Sequence, residues 1–365
     1  MKFILLSCFF SFYFLFSQNN SNTYIDAHVF RGNIYKHAEY VGHLISGHPD
    51  GFLLSYNWKT TGKKEWEQVY NYPDYGISYH YIDFKNKYLG VNHALGVHYN
   101  FYFLNRNLLF RISQGIGMTS SPYDKETNNK NNAFGTQFLD NTYFLLQYKK
   151  ENILDKIGIQ AGFMLTHFSN GRFKAPNSGI NTISFNVGLN YNFEEPAVII
   201  KDSLAPSSSY KERIKYNVAF RTGISEGPIP HLGQRQFYHI SGYADKRVGR
   251  KSAIQFGTDV FFSRYLRDYI KFASVAFPET HKSYAKPGTD YKRIGVFIGH
   301  ELFINRVSIE TQFGYYVYKP LNYEIDVYQR LGLKYYINKT VFTGLGLKTH
   351  GGRAEAIEAT LGVRL

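Results

Sequence analysis

The sequence feature that most constrains the fold is an alternation of apolar and polar side chains, which is clearest between Ile157 and Ser169. Successive side chains of a β-strand point to opposite faces, so one face of this segment is apolar and the other is mostly small or polar, without charge. The outer face of a soluble β-sandwich would carry lysine and glutamate. An apolar face opposite an uncharged one instead favours a transmembrane β-barrel, with lipid outside and a polar lumen inside.

The same alternation recurs along the rest of the chain. It is found in residues 182–193, 307–317, 325–337 and 357–365. Aromatic residues make up 18% of the chain and charged residues 19%, a composition that excludes a disordered protein. Beyond the N-terminal segment no stretch is long and apolar enough for a transmembrane helix. Because only helices and closed barrels pair every backbone amide in hydrocarbon, we expect an all-β, antiparallel, transmembrane β-barrel of the outer membrane.

The N-terminus has the layout of a secretory signal peptide, which we assign to residues 1–18. Met1 and a lysine are followed by a nearly unbroken apolar run to Phe16 and then by polar residues from Ser17. The run is shorter than the roughly 20 residues of a membrane-spanning helix. The only cysteine is Cys8; the residues before it faintly match a lipoprotein cleavage box but leave no apolar region in front. Removal of this segment would remove disulfides, zinc–thiolate sites and thiol nucleophiles together.

A stretch rich in proline and serine, residues 196–210, divides the chain. We predict a first barrel part over residues 19–195 and a second strand-rich part over 211–365, with about eight strands before the linker and six to eight after it. Two architectures fit this division. Either one barrel of about 12–16 strands is completed or extended by the second part, or an eight-stranded barrel is followed by a second β unit. Polar segments predict tight periplasmic turns at 105–107, 305–306 and 338–339, and outward loops at 120–132 and 272–290.

Lysine and arginine number 42 against 28 for aspartate and glutamate, a net charge of +14. On an outer-membrane barrel, basic residues at the rims can pair with lipopolysaccharide phosphates. The excess is not clustered, so we expect no nucleic-acid partner. The histidines of the early strands show no ligand spacing for a metal, and we predict rim or lumen positions for His37, His43, His48, His93 and His98.

One segment carries a combination of residues suited to chemistry. His167 and Ser169 are two residues apart on a strand and therefore share a face. A neutral imidazole can take a proton from a serine hydroxyl, which is too weak a nucleophile unaided. Asn170 and Gly171 follow directly and offer amide donors for an oxyanion, while Asn181 falls on the same face of the next strand. The same residues also fit a plain turn with polar rim residues, because a bare His-x-Ser is common.

The sequence around this pair resembles a known family. Residues 167–171, His-Phe-Ser-Asn-Gly, and residues 176–180, Pro-Asn-Ser-Gly-Ile, resemble the signature of the lipid A 3-O-deacylases of bacterial outer membranes, the PagL type of acyloxyacyl hydrolase. Weaker, barrel-like similarity covers roughly residues 22–193. The resemblance implies a small eight-stranded barrel that cleaves an ester-linked acyl chain of lipid A without a metal or another cofactor.

The resemblance also implies a role for each matched residue. His167 becomes the general base and Ser169 the nucleophile, and oxyanion or positioning roles are implied for Asn170, Gly171 and Asn177. The family's acidic third member falls at Asn181, which cannot stabilise an imidazolium by charge. Its amide can still accept a hydrogen bond from the ring and hold the ring's tautomer. Length is a second departure, since the residues after Tyr210 have no counterpart in the small barrels.

These observations predict an outer-membrane serine esterase, embedded in the membrane, that hydrolyses an ester-linked (hydroxy)acyl chain of lipid A in the outer leaflet. Two other interpretations are compatible with the sequence. One is a non-enzymatic barrel that acts as a pore or a structural protein, and the other is a secreted soluble β protein whose strand faces pack on each other. The sequence leaves open the strand count, the acyl position, the oligomeric state and the activity of a site with Asn181.

Overall fold

The computed structural model describes residues 22–37, 39–194, 199–200, 212–227 and 229–365. The predicted signal peptide, and most of the predicted linker at 196–210, lie outside these ranges. The described chain forms two closed antiparallel barrels of eight strands each. The strands after the linker close a barrel of their own and do not complete or extend the first. Of the two predicted architectures, the eight-stranded barrel with a second β unit is therefore the one adopted.

The first barrel contains β1 to β8, and every strand pairs with its neighbour in the chain. The strands are β1 (Thr23–Ile34), β2 (Asp50–Lys59), β3 (Asp74–Asp83), β4 (Val91–Phe103), β5 (Leu108–Thr119), β6 (Phe138–Leu154), β7 (Ile157–Ser169) and β8 (Ile180–Asn192). A 3-10 helix (Glu39–Leu44) follows β1, and α1 (Glu65–Val69) lies between β2 and β3. The barrel closes where β1 pairs with β8, with Tyr24 opposite Asn192.

The second barrel repeats this arrangement. Its strands are β9 (Lys215–Glu226), β10 (Gln234–Arg247), β11 (Ser252–Ser263), β12 (Arg293–Ile304), β13 (Val307–Tyr318), β14 (Val327–Tyr336), β15 (Val341–His350) and β16 (Arg353–Arg364). It closes where β9 pairs with β16, with Val218 opposite Val363. None of the helices in the described ranges is both long and apolar enough to span a bilayer.

The predicted loop at 272–290 differs from the structure, because it begins inside the helix α2 (Tyr265–Ala276). One face of this helix is buried and packs with the loop between β13 and β14, where Leu321 joins its apolar cluster. The helical spacing of its buried residues is the sequence signal for this helix, and the prediction of a loop overlooked it. The predicted tight turns at 105–107, 305–306 and 338–339 are short connections between paired strands.

The outward face of both barrels is apolar, which follows from the alternation in the sequence. Exposed aliphatic and aromatic side chains alternate with buried ones along the strands, as in Val29, Leu95, Ile116, Phe163, Phe256, Ile298, Val317 and Leu345. At the short-turn end of the first barrel, aromatic rings form a belt in which Trp58 stacks on Tyr75 at 5.7 Å. Such belts sit at membrane interfaces, so the outer surface matches a bilayer.

The interior of each barrel is filled by a cluster of buried apolar residues and by polar side chains, many of which bond to one another. In the first barrel Arg111 Nη2 donates to Asp26 Oδ2 at 2.7 Å, and both residues are buried. In the second, Arg330 Nε donates to Glu358 Oε2 at 2.6 Å, and these residues are buried as well. Eight strands enclose a space just wide enough for side chains. Both lumens are therefore filled with side chains, and these include buried ion pairs.

The two barrels contact each other at both ends. At the end with the short turns, the Tyr70 hydroxyl donates to the Phe303 carbonyl at 2.7 Å, and Glu65 pairs with Arg250. At the opposite end, the loop between β7 and β8, residues 170–179, reaches the rim of the second barrel, where Glu226 N donates to Arg172 O at 3.1 Å. This loop follows the predicted nucleophile directly.

Candidate active site

His167 and Ser169 lie at the C-terminal end of β7, on its outward face. Outward residues of this strand, such as Phe163 and Leu165, are exposed, whereas the intervening Phe168 is fully buried in the barrel. The imidazole and the hydroxyl therefore continue the lipid-facing stripe and end it at the loop rim. This placement brings an imidazole and a hydroxyl to the edge of an apolar surface that an acyl chain can contact.

The ring of His167 is held by Asn181 on the neighbouring strand. The two residues are directly opposite each other in the β7–β8 register, and Nδ1 lies 2.7 Å from the Asn181 amide oxygen. Because that oxygen can only accept, Nδ1 carries the ring proton in this arrangement. Nε2 then keeps its lone pair, which is the state that a general base requires.

Gly179 lies against both His167 and Ser169. A Cβ atom added to Gly179 would be 3.0 Å from His167 Cε1 and 3.2 Å from Ser169 Cβ, and the glycine has a φ of +67°. Any larger residue would intrude on both side chains. Ser169 is 5% exposed, whereas His167 is half-buried, so the pair is approached from the side of the imidazole. In the described chain no hydrogen bond joins the two side chains, and catalytic hydrogen bonds often tighten only in the substrate complex.

The loop after Ser169 turns through two residues in the left-handed region, Gly171 at φ +57° and Arg172 at φ +66°. This turn aims the Gly171 N–H at the serine, where it donates to Oγ at 3.4 Å. Asn170 shapes the turn with both ends of its amide, since Oδ1 accepts from Arg172 N at 3.0 Å and Nδ2 donates to Lys174 O at 2.7 Å. These bonds favour a positioning role for Asn170.

Asn177 returns towards the start of the loop. Its amide oxygen accepts from Asn170 N at 2.7 Å, which leaves the Nδ2 group as the donor it can offer to a bound oxygen atom. The structure thus brings together all six predicted site residues at the end of β7, in the loop that follows and at the start of β8: His167, Ser169, Asn170, Gly171, Asn177 and Asn181. Of the amide groups in this loop, the structure places the Gly171 N–H against the Ser169 hydroxyl.

Sequence reasoning missed a carboxylate beside this site. Asp140 on β6 is directly opposite Ser169 in the register, and Thr142 is opposite His167. Thr142 Oγ1 donates to Asp140 Oδ2 at 3.0 Å, and Gln114 on β5 donates to the other oxygen. The signal for it was available: a charged residue in an outward series that also contains Phe138 and Phe144 is out of place on a lipid-facing stripe.

The histidines of the early strands do not meet in one place. His98 points into the first lumen and bonds to Asn57 at 2.8 Å, while His93 faces outward and bonds to the Tyr79 hydroxyl at 2.7 Å. The others bond to separate partners near the loops, His37 to the Ser178 carbonyl, His43 to the Lys130 carbonyl and His48 to Asn33.

A different group of possible ligands lies in the second barrel, where ligand atoms of Glu324, His350 and Glu355 are within 4.8 Å of one another. Arg293 pairs with both carboxylates, at 2.6 Å to Glu324, and Lys348 pairs with Glu355. The negative charge of this group is therefore already balanced by protein cations, which makes it a structural ion-pair network.

Two family models match the chain. Residues 50–190 match the model described as lipid A 3-O-deacylase (PagL), and residues 214–365 match the model described as acyloxyacyl hydrolase, C-terminal domain. No curated protein shows significant similarity to the chain.

Among solved structures, the chain is similar to the Acinetobacter baumannii outer membrane protein Omp33, with 10% identity and a TM-score of 0.18 over 94% of this chain and 97% of that one. It is also similar to Acinetobacter baumannii OccAB3, with 11% identity and a TM-score of 0.20 over 94% and 98% of the two chains. A triple mutant of the Rhodopseudomonas blastica porin gives 6% identity and a TM-score of 0.20 over 94% and 99%.

The two family models fall on different parts of the molecule. The first lies within the barrel that carries His167 and Ser169, and the second spans all eight strands of the other barrel. Between them they cover most of the chain, and the protein therefore belongs to the lipid A 3-O-deacylase (PagL) family of outer-membrane hydrolases, in a form that also carries the acyloxyacyl hydrolase C-terminal domain.

Proposed function

We propose that this protein hydrolyses an ester-linked hydroxyacyl chain of lipid A, with Ser169 as the nucleophile and His167 as the general base. The observation that carries the proposal is the hydrogen bond from His167 Nδ1 to Asn181, which leaves Nε2 as the base on the same outward stripe as the Ser169 hydroxyl. The acyl chain would lie on the exposed apolar stripe that contains Phe163 and Leu165, with its ester at the rim.

The reaction follows the order of acyl transfer to a serine. His167 Nε2 takes the Ser169 proton as Oγ attacks the ester carbonyl, and the resulting oxyanion is stabilised by the Gly171 N–H and Asn177 Nδ2. The imidazolium then returns its proton to the sugar oxygen, which leaves as an alcohol. Water, deprotonated by the same ring, hydrolyses the acyl-serine, releases the fatty acid and restores the hydroxyl.

Two neighbours support the imidazolium that forms during each step. Asn181 holds the ring orientation through its amide oxygen but carries no charge. Asp140 is the diagonal cross-strand neighbour of His167, a position about 7–8 Å away along the sheet. We propose that this carboxylate supplies the negative charge that the family places at the position of Asn181.

The direct experiment is mass spectrometry of lipid A from cells with and without the protein. We expect the expressing cells to contain lipid A that has lost one hydroxyacyl chain, and the corresponding free fatty acid to accumulate. Identical spectra from both cell lines, with the protein folded in the outer membrane, would remove the enzyme proposal.

Asn181→Leu is expected to lower the rate of acyl release by about 10- to 100-fold, because the ring loses its acceptor and the correct tautomer is no longer favoured. Asn181→Asp keeps the acceptor and adds charge, so it is expected to be at least as active as the wild type. The measurement is release of fatty acid from purified lipid A in detergent micelles. Equal activity of the wild type and Asn181→Leu would show that the bond to Asn181 has no catalytic role.

Asp140→Asn is expected to lower the same rate roughly tenfold, because a carboxylate at this distance stabilises the imidazolium by roughly 1–2 kcal/mol. Asp83→Asn is the matched control, since Asp83 lies at the same end of the barrel, where its carboxylate pairs with the exposed Lys85 at 2.8 Å and accepts from the Lys85 backbone N–H. The role of Asp140 is refuted if both variants retain the wild-type rate.

A pore is the alternative from another functional class, and the packed interiors argue against it. Both lumens contain buried, mutually bonded charged residues, such as Arg111 with Asp26 and Arg330 with Glu358. An open channel would need these pairs to separate. Purified protein in planar bilayers is therefore expected to give no stable conductance steps, and regular single-channel steps would favour the pore.

A further inference from the structure

The loop that carries the proposed oxyanion donors is held by the other barrel. Arg172 leaves the first barrel and places its guanidinium at the rim of the second, with the side chain only 13% exposed. Nη2 donates to the Tyr323 hydroxyl at 3.1 Å, and Nη1 lies 3.6 Å from Glu324. The guanidinium also faces the ring of Tyr265, 5.2 Å from its centroid. These contacts come from α2 and from the loop between β13 and β14.

The charge of Arg172 is retained in this setting. Burial alone would lower the pKa of its guanidinium, but Tyr265, Tyr323 and Glu324 hold that pKa above its ordinary value. A buried cation with fixed partners is costly to displace, since removing it leaves those partners unpaired. Arg172 is therefore a firm attachment for the loop.

Glu226, at the end of β9, provides the second attachment. Its backbone N–H donates to Arg172 O at 3.1 Å, and its carboxylate accepts from Ala175 N at 2.7 Å. The other carboxylate oxygen accepts from His231 N and Gly233 N of the second barrel, at 3.0 and 3.3 Å. The residue is 3% exposed. One buried side chain thus ties the backbone of the catalytic loop to the backbone of the second barrel.

The contact between the loop and the second barrel includes Gly171, two residues after Ser169. Gly171 packs on Ile357 of β16 so closely that an added Cβ would lie 2.2 Å from Cγ1 of that side chain. Gln234 Nε2 donates to Phe173 O at 2.8 Å. Residues 171–175 therefore contact the second barrel along their length, and the Gly171 N–H that points at Ser169 belongs to this stretch.

The backbone of this stretch needs such support. A residue other than glycine rarely adopts the left-handed conformation, yet Arg172 has a φ of +66° directly after Gly171 at +57°. In an unsupported loop this turn would relax towards ordinary backbone angles, and the Gly171 N–H would turn away from Ser169. The contacts of Arg172 and Glu226 hold the turn in place.

We infer that the second barrel is a positioning device for the catalytic loop, in which Arg172 and Glu226 hold the Gly171 N–H at the serine. This inference rests on the proposed esterase function and gives the second barrel a role in turnover, without contact to the substrate. Neither residue touches the reacting atoms, so both are positioning residues. Their loss acts on kcat, because an oxyanion donor contributes mainly in the transition state.

The test uses the full-length protein with Arg172→Met and Glu226→Gln. Glu212→Gln is the matched control, because Glu212 also pairs with an arginine of the second barrel, Arg364 at 2.9 Å, but at the opposite end from the loop. Folding is checked by heat-modifiable gel mobility and Tm. Activity is measured as kcat and KM for acyl release from lipid A. A second measurement is the rate at which a small fluorophosphonate labels Ser169, because this reaction does not depend on lipid binding.

Both variants are expected to fold, to lose at least tenfold in kcat and in labelling rate, and to keep KM within twofold, while the control matches the wild type. Arg172→Lys is expected to recover part of the loss, because it retains the charge. Wild-type kcat and labelling in the folded variants would overturn the inference. A raised KM with unchanged kcat would also overturn it, since the second barrel would then bind substrate.

If neither Arg172→Met nor Glu226→Gln folds, Gln234→Ala provides the test. Gln234 is exposed and touches the loop only through the Phe173 carbonyl. A kcat two- to fivefold below the wild type at unchanged KM would support the inference, and an unchanged kcat would overturn it. A wild-type protein that neither releases acyl chains nor reacts with the fluorophosphonate would instead overturn the proposed function itself.

Discussion

Ser169→Ala is expected to reduce acyl release from lipid A by a factor on the order of 10³ or more, because the variant has no atom that can form the acyl-enzyme. Ser169 is the only serine in β7, and Gly179 packs against both Ser169 and His167, the proposed base. The measurement is fatty acid released per unit time from purified lipid A by the folded variant. Mass spectrometry of lipid A from cells that express the variant is expected to show intact hydroxyacyl chains.

Ser178→Ala is the matched control for this experiment. Ser178 lies in the same loop, but it contributes its backbone, whose N–H donates to Asn132 O at 3.1 Å and whose carbonyl accepts from His37. We expect this variant to deacylate lipid A at the wild-type rate. If Ser169→Ala and Ser178→Ala were equally active, another nucleophile would have to be sought.

His167→Gln is expected to lower acyl release by roughly 10²–10⁴-fold, since proton transfer from the hydroxyl and to the leaving oxygen both lose their carrier. The glutamine preserves much of the side-chain volume at the rim. A lower rate would therefore report the loss of the imidazole base and not a loss of packing. The fluorophosphonate reaction with Ser169 is expected to slow by a similar factor, because it also depends on removal of the serine proton.

His93→Gln provides the comparison for the imidazole. His93 is also an outward-facing histidine of the first barrel, but its ring bonds to the Tyr79 hydroxyl at 2.7 Å and not to a residue of the site. Retention of wild-type activity by His93→Gln and its loss in His167→Gln would identify the base. Similar losses of activity in both variants would indicate a general effect of changing the outward face of the first barrel.

The strands were predictable where lipid and lumen impose opposite demands on neighbouring residues. The alternation between Ile157 and Ser169 coincides with β7, and the outward placement of His167 and Ser169 follows from their spacing. The sequence also predicted that Asn181 shares a face with His167, but the direct pairing of the two residues depends on the β7–β8 register, which a ten-residue loop does not determine. By contrast, the helix α2 was not predicted, since polar residues in the same stretch resemble a loop.

The role of Asp140 could not be assigned from one strand alone. It lies 29 positions before Ser169 in the sequence, and only the pairing of β6 with β7 brings the two together. The same holds for Arg172 and Glu226, which belong to different barrels and meet at a shared rim. Local patterns carry no information about which distant segments face each other.

The alternation of side chains in the sequence predicts the strands of a membrane barrel, and it places His167 and Ser169 on one face at a strand end, with Asn181 at the start of the next strand. The alternation carries this information because lipid and lumen require different side chains at successive positions of a strand. Whether sixteen strands close as one barrel or two, and what supports the loop beside the nucleophile, were decided only in three dimensions. Barrel closure and rim contacts depend on pairings between distant segments, whose energies no local stretch contains.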